Sequence, residues 1–351
     1  MKRLIIFAVG ALLIPISSQA AYTIKDGKLI GMHELATLSV QEHYSLAKEA
    51  LEKKDWVELI RQSQIVTKNF SGTVFALDSY FYLGVAYFNM HEFDLANMNF
   101  DSYLKKQTTP KLFEEAFQYK FSIAQQFEHG AKRRFLGKEN MPKWMPAQQE
   151  ALLIYDEVIM ALPQHDLAVQ SLFGKANVLF EEEEFKSSIE TFQTLLRRFP
   201  RHPLARDSYI AITKVYAVQA EKEYPDPDFL DLAAINVKKF KMDFRGDPKV
   251  AEAEEFLAEM VELYAKELYK TAQFYERTKK PNASVIYYSK IVSKYPDSET
   301  AAKSQQRLDV LQPEKKEADF VIPKNPNAMV VEASSLDEAQ APLQESSEVT
   351  R

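Results

Sequence analysis

The chain has 351 residues, no cysteine and a formal net charge of −6. The lack of cysteine excludes thiol catalysis, disulfide scaffolds, cysteine-ligated zinc and iron–sulfur sites, and a lipid anchor through cysteine in this sequence. The acidic balance argues against a nucleic acid or an anionic membrane surface as the main partner.

Residues 1–20 have the pattern of an export signal. Lys2 and Arg3 precede a short apolar run, and small residues at the end of that run suit cleavage near Ala20. The run is short for a membrane span, although an uncleaved N-terminal anchor is the alternative. We therefore expect a periplasmic protein, peripheral at most to the inner face of the outer membrane. Residues 21–38 read as an extended lead-in segment.

The clearest structural unit lies in residues 78–106. Tyr80, Leu83, Gly84 and Tyr87 share one face of a first helix. A second helix carries a similar stripe of Ala96, Phe100 and Tyr103. The small side chains of Gly84 and Ala96 allow the two helices to approach closely. This order of residue types resembles the tetratricopeptide (TPR) repeat.

Weaker copies of this unit recur on both sides of it. The predicted fold is all-α, a TPR-like α-solenoid of about five to six helical hairpins over residues 39–311 with a C-terminal capping helix. Ser39 is placed to cap the first helix. The predicted hairpins cover residues 39–70, 78–106, 111–162, 167–200, 203–244 and 250–296, and the capping helix covers residues 299–311.

An insertion at residues 131–146 interrupts the third hairpin. It contains Met141, Trp144 and Met145 between prolines that prevent a plain helix. In one interpretation Trp144 folds back and plugs the hairpin, because tryptophan is usually buried. In the other, these three residues form a protein-binding surface on one face of the solenoid.

Residues 312–351 form a tail rich in Pro, Glu, Ser and Ala. Its few large apolar residues cannot bury enough surface to fold alone, so we predict a disordered acidic tail.

No motif for catalysis, metal or cofactor binding is apparent. The six histidines form no zinc-binding helix motif, and there is no glycine-rich phosphate loop. Four consecutive glutamates at residues 181–184 occupy a predicted turn, where a solvated charge run is the usual outcome. We predict a non-catalytic protein without cofactor or metal.

The segment Glu262–Leu308 carries motifs that indicate one particular family of helical-repeat proteins. An Ala-Gln-Phe-Tyr helix, a Tyr-Tyr-x-Lys-Ile-Val helix, Lys-Tyr-Pro-Asp-Ser and a closing helix together resemble the last repeat of BamD/YfiO-type outer-membrane assembly lipoproteins. That resemblance implies a periplasmic scaffold that binds a barrel-insertase subunit and unfolded outer-membrane proteins. Family members are usually tethered through a lipidated N-terminal cysteine, which this sequence lacks.

Stacked hairpins present a surface lined by first helices that can hold a peptide. The best repeats predict groove-facing, protein-binding residues, with phenylalanines supplying apolar area and asparagines bonding the peptide backbone. The competing interpretation is that these phenylalanines pack between neighbouring repeats. The predicted groove residues are Phe81, Val85, Phe88, Asn89, Phe173, Asn177 and Phe180.

Two functions therefore remain open at this point. The first is a BamD-like scaffold for outer-membrane protein assembly. The second is a soluble periplasmic TPR adaptor for cell-wall, division or secretion machinery. Both predict other envelope proteins as partners and no nucleic acid.

Overall fold

The structure is a computed structural model that describes residues 22–25, 28–31, 35–106, 109–137, 141–223 and 226–312. Thirteen α-helices make up most of these residues, which confirms the all-α prediction. The predicted export signal and tail residues 313–351 lie outside the described residues. The helices are α1 (Val40–Glu52), α2 (Trp56–Asn69), α3 (Val74–Asn89), α4 (Phe93–Lys105), α5 (Phe113–Glu128), α6 (Gln148–Ala161), α7 (Asp166–Glu181), α8 (Phe185–Arg198), α9 (Pro203–Lys222), α10 (Pro227–Asp243), α11 (Val250–Arg277), α12 (Pro281–Lys294) and α13 (Glu299–Leu311).

The chain divides into two compact units, Met1–Met260 and Val261–Arg351. In the first unit each helix from α1 to α9 packs on the next one along the chain. The first helices of successive hairpins also contact one another: α1 contacts α3, α3 contacts α5, α5 contacts α7 and α7 contacts α9. This two-level packing is what stacked helical hairpins require, and it confirms the predicted repeat architecture.

The turns inside the hairpins share one backbone conformation. The middle residue of the turn is in the left-handed region at Lys54, His91, Glu183 and Lys279, with φ between 56° and 62°. The next residue then donates its backbone N–H to a carbonyl five residues back, as at Glu184. The same geometry begins at Gly130, where φ is 93°, but the chain then continues into the insertion.

Two small antiparallel sheets accompany the helices in the described residues. Strands β1 (Tyr22–Lys25) and β2 (Lys28–Gly31) form a hairpin within the predicted lead-in segment. Strands β3 (Arg133–Arg134) and β4 (Lys143–Met145) form a second hairpin within the insertion. Ser39 caps α1 through a reciprocal capping box with Glu42, as the sequence predicts.

The second unit contains the end of α11 together with α12 and α13. Glu276 receives hydrogen bonds from Tyr288 on α12 and from Arg307 on α13, so one carboxylate joins all three helices. The Arg307 hydrogen bond holds the pKa of Glu276 below its usual value. On α11, Glu262 accepts a 2.7 Å hydrogen bond from the Thr300 hydroxyl at the start of α13. The predicted capping helix is thus fixed at both ends.

Close helix packing in the second hairpin depends on Gly84. A Cβ atom added at this position would lie 2.7 Å from the ring of Phe100, which is fully buried. The two helices of this hairpin therefore approach as closely as the sequence pattern predicts.

We expect Gly84→Ala to lower the free energy of unfolding by about 1 kcal/mol, since overpacking outweighs the gain in helix propensity. Gly72→Ala is the matched control, because no atom lies within 4 Å of a Cβ added there. Thermal denaturation of both variants tests this. Equal stability of the two variants would show that the ring moves aside without cost.

Among the described residues, no helix is both long and apolar enough to cross a bilayer.

Candidate interaction site

The four predicted groove residues on α3 divide into two pairs. Phe81 and Val85 are 5% and 6% exposed and belong to the core, where the Phe81 ring meets Phe100 and Tyr103. Phe88 is partly buried against Phe93, and Asn89 is exposed with its amide bonded to its own helix. The packing interpretation therefore describes the position of Phe81, and the binding role of the α3 residues stays a prediction.

The three predicted groove residues on α7 come together in one cavity. Phe173, Asn177 and Phe180 are all partly exposed and line a space of about 300 Å³ between α7 and α9. Such a volume is at the lower end for ligand pockets and suits a large side chain of a bound peptide. The remaining lining residues are Phe192, Asp207, Ile210, Ala211, Lys214, Val215 and Glu252.

The floor of this cavity is apolar. The rings of Phe173 and Phe192 meet edge to face, with centroids 5.4 Å apart, and Ile210 and Val215 complete the apolar wall from α9. An edge-to-face pair holds both rings in fixed orientations. The floor is therefore shaped before any ligand enters.

The mouth of the cavity is polar. The Lys214 ammonium lies 5.7 Å from the centre of the Phe180 ring, and no carboxylate in the described residues pairs with it. Asp207, by contrast, is already paired with Lys249. Lys214 is thus the charge at the mouth that is best placed to meet an acceptor on a ligand.

A partly buried carboxylate lies close to Asn177. Glu128 on α5 accepts a hydrogen bond from the Tyr155 hydroxyl on α6. Burial raises the pKa of the Glu128 carboxyl, while its polar neighbours Tyr155 and Asn177 act in the opposite direction. Asn177 therefore lies between this carboxylate and the cavity that it lines.

Gly174 makes this arrangement possible. A Cβ atom at Gly174 would lie 2.6 Å from the Tyr155 hydroxyl, so the glycine allows α7 to approach α6 at this point. Gly174 therefore sets the close packing of α7 on α6, and α7 carries one wall of the cavity.

Two larger grooves lie elsewhere in the first unit and contain none of the predicted site residues. One, of about 640 Å³, lies along α6, α7 and α8, and the other, of about 440 Å³, lies along α8, α9 and α10. The first is crossed by the 2.6 Å ion pair between Asp156 and Lys175. The smaller cavity is the better candidate, because it joins an apolar floor to a polar mouth and contains the three predicted groove residues of α7.

The insertion is held on the second hairpin by a buried ion-pair network. Arg134 is 8% exposed and donates a 2.6 Å hydrogen bond to Asp94, while its backbone N–H donates to the same carboxylate. Arg134 and Lys143 also share the carboxylate of Glu92. The β3–β4 hairpin is therefore anchored to the start of α4.

The predicted plug at Trp144 is not what the structure contains. Trp144 is 60% exposed, and its ring stacks on Phe135, with centroids 6.1 Å apart. Met141 is exposed and Met145 is partly buried. Trp144 stays outside because the anchoring side chains on its neighbours turn the other face of the hairpin toward α4. The protein-binding role of these three residues stays a prediction.

The glutamates at residues 181–184 are exposed, and Glu183 pairs with Lys222 on α9. No cluster of three or more metal-ligating side chains occurs in the part of the chain that the structure describes.

Sequence reasoning did not find the α9 side of the cavity or the anchor of the insertion. Ile210 and Lys214 are four residues apart and so share a helix face, but only the packing of α9 on α7 brings them to Phe173. For Arg134 the sequence offers only a basic segment, residues 132–134, and an acidic helix start 40 residues earlier. Both features depend on contacts between distant parts of the chain.

Comparison with known proteins adds one decisive observation. Residues 161–318 match the YfiO family, described as outer membrane lipoprotein. The chain is YfiO-like. The match includes the segment 262–308, on which the predicted resemblance rests, and it also includes the cavity. The first three hairpins and the insertion lie before it. A protein-interaction scaffold is the class of function that fits a YfiO-like helical repeat.

Solved structures of similar proteins are distant. The YfiO-like chain shares 15% identity with MamA from Desulfovibrio magneticus, covering 60% of this chain and 97% of that one with a TM-score of 0.34. It shares 11% with a TPR protein from Bacteroides fragilis, covering 79% and 99% with a TM-score of 0.37. It shares 12% with YrrB, a TPR protein with an unusual peptide-binding site, covering 62% and 92% with a TM-score of 0.35. No curated protein sequence matches the chain.

Proposed function

We propose that this YfiO-like protein is a non-catalytic periplasmic scaffold in outer-membrane protein assembly. The observation that carries the proposal is the cavity of Phe173, Asn177 and Phe180, which lies inside the segment that matches an outer membrane lipoprotein family. Its partners are a barrel-insertase subunit or unfolded outer-membrane proteins. It acts in the envelope, at the inner face of the outer membrane.

The cavity binds one large apolar side chain of a partner segment. That side chain rests on the rings of Phe173 and Phe192, while Lys214 and Asn177 bond polar groups of the same segment at the mouth. Burial of an aromatic or aliphatic anchor supplies most of the affinity, and the polar pair fixes the direction of the segment. No step in this function needs a metal, a cofactor or a reacting group.

We expect Ala211→Phe together with Lys214→Glu to reduce capture of a barrel-insertase subunit at least tenfold. The added ring occupies the cavity and the reversed charge opposes the ligand at its mouth, so the anchor can no longer enter. The measurement is quantitative co-purification of the full-length tagged protein from its native envelope, followed by mass spectrometry.

The control is Lys238→Glu, which makes a similar charge change at an exposed position on α10. Thermal denaturation of each variant shows whether the fold is intact. Capture of the same insertase subunit by the cavity variant and the wild type would remove the cavity from the proposal. Capture of cell-wall, division or secretion proteins alone, lost in the cavity variant, would establish the adaptor function instead.

A further inference from the structure

The insertion presents two chemically different faces. In the β3–β4 ladder Arg134 pairs with Lys143, so their side chains lie on the same side of the sheet. This inner face meets the carboxylates of Glu92 and Asp94. The ladder shifts register between Arg133 and Arg134, so exposure rather than strand alternation defines the other side of the hairpin. Trp144 is 60% exposed and its ring stacks on Phe135. We call this exposed side, which carries Trp144 and Phe135, the outer face.

The outer face carries an exposed aromatic pair in a fixed position. Phe135 and Trp144 are 38% and 60% exposed, and their rings lie within 24° of parallel. Each ring limits the rotation of the other, and the buried Arg134 anchor holds the backbone beneath them. A preorganised aromatic pair loses little conformational entropy on binding, which is the property of an interface anchor.

The insertion carries more basic residues than the start of α4 balances. Glu92 and Asp94 pair with Arg134 and Lys143. Lys132 is exposed and Arg133 half-buried, and neither forms an ion pair within the described parts of the chain. Residues 131–146 contain five basic residues and one acidic residue, so the insertion is basic although the whole chain carries a net charge of −6.

We propose that the outer face of the insertion docks on a partner protein whose surface has an apolar pocket rimmed by carboxylates. Trp144 and Phe135 enter the pocket, and Lys132 and Arg133 pair with the acidic rim. The aromatic pair supplies the affinity, and the charges steer the encounter and fix its orientation. This inference rests on the proposed scaffold function and assigns it a second contact, separate from the cavity on α7.

The test is a photocrosslinker, p-benzoylphenylalanine, placed at position 141 of the full-length protein in its native envelope. Met141 is exposed and lies on the same segment as Trp144, and the crosslinker keeps a large apolar side chain at this predicted contact position. Mass spectrometry identifies the crosslinked peptide. We expect the crosslinked peptide to come from another protein and to carry a net negative charge. We also expect the crosslinking yield to fall at least tenfold in Trp144→Ala and in the double variant Lys132→Glu with Arg133→Glu.

Lys186→Glu with Lys238→Glu is the matched control, since it reverses two exposed charges elsewhere in the same unit. The control is expected to retain the crosslink. A crosslink to lipid, to a second copy of the chain or to a neutral or basic peptide overturns the proposal, and so does a yield unaffected by the charge reversal. If the cavity variant, Ala211→Phe with Lys214→Glu, keeps this crosslink while it loses the insertase subunit, the two contacts are independent. If the crosslink from position 141 does not behave as expected but the cavity variant still loses the insertase subunit, only the docking inference is overturned and the proposed scaffold function stands.

Discussion

Lys120→Ala is expected to lower the free energy of unfolding by about 3 kcal/mol, at the lower end of the range for breaking a buried ion pair. Lys120 is only 1% exposed, and its ammonium donates a 2.8 Å hydrogen bond to Asn97. It also pairs with Asp101 and, at 2.7 Å, with Glu157. It thereby links α4, α5 and α6. Without it, Asp101 keeps only its longer pair with the exposed Lys105, and Glu157 loses its ion pair within the described residues.

Lys105→Ala provides the matched control for this prediction. Lys105 pairs with the same Asp101, at 3.4 Å, but its side chain is 74% exposed. An exposed pair of this kind contributes about 0.5 kcal/mol or less. Chemical denaturation of the two variants measures the difference. Equal losses would mean that burial does not strengthen the Lys120 interaction, and a third variant, Lys120→Met, separates the lost charge from the lost packing.

Lys120 shows what the helical period predicts about burial and what it leaves open. Phe113, Phe117, Ala124 and Phe127 form a stripe on α5, and position 120 completes its three- and four-residue spacing. The period therefore predicts burial at 120. The residue type predicts the opposite, because lysine is almost never fully buried unless it is paired. Lys120 can be buried only because acidic residues of two other helices, Asp101 and Glu157, pair with it.

The repeat architecture was predictable because its signals are local. Gly84 and Ala96 lie in adjacent helices of one hairpin, and the helix ends carry their own caps and turns, such as Ser39. A pattern that repeats with the same spacing leaves few alternatives for the packing of neighbours. The sequence therefore predicted the fold class and the six hairpins.

The candidate site was only half predictable, for the same reason. Phe173, Asn177 and Phe180 lie on one helix, and their spacing places them on one face. Which helix covers that face depends on how α9 packs on α7. At the equivalent part of α3 the same spacing puts Phe81 in the core, because α4 and α5 cover it with Phe100, Tyr103 and Tyr119. Spacing alone cannot distinguish a covered face from an open one.

The insertion shows the limit most clearly. Its sequence suggested either a tryptophan plug or an exposed contact, and its local pattern favoured neither. The choice is made by Arg134, which lies 40 residues from its partner Asp94. Both side chains are 9% exposed, so little solvent reaches this pair to screen it.

We expect Arg134→Ala to release the β3–β4 hairpin from α4. Its loss leaves Asp94 buried without a counter-charge, which lowers the free energy needed to open the hairpin by about 3 kcal/mol. Trypsin should then cleave after Lys132 or Arg133 about 100-fold faster than in the wild type, because cleavage follows the population of the open form. Limited proteolysis under native conditions measures this rate.

Arg133→Lys is the control, because it changes the neighbouring arginine, keeps both trypsin sites and leaves the anchor in place. A double variant, Asp94→Ala with Arg134→Ala, distinguishes the ion pair from simple packing. If the buried charge left on Asp94 causes the opening, the double variant is cleaved more slowly than Arg134→Ala alone. Cleavage of Arg134→Ala at the wild-type rate would mean that the strands and the Phe135–Trp144 stack hold the hairpin by themselves. The outer face would then not depend on the ion pair for its position, and the preorganisation argued for its docking would have to come from the ring pair alone.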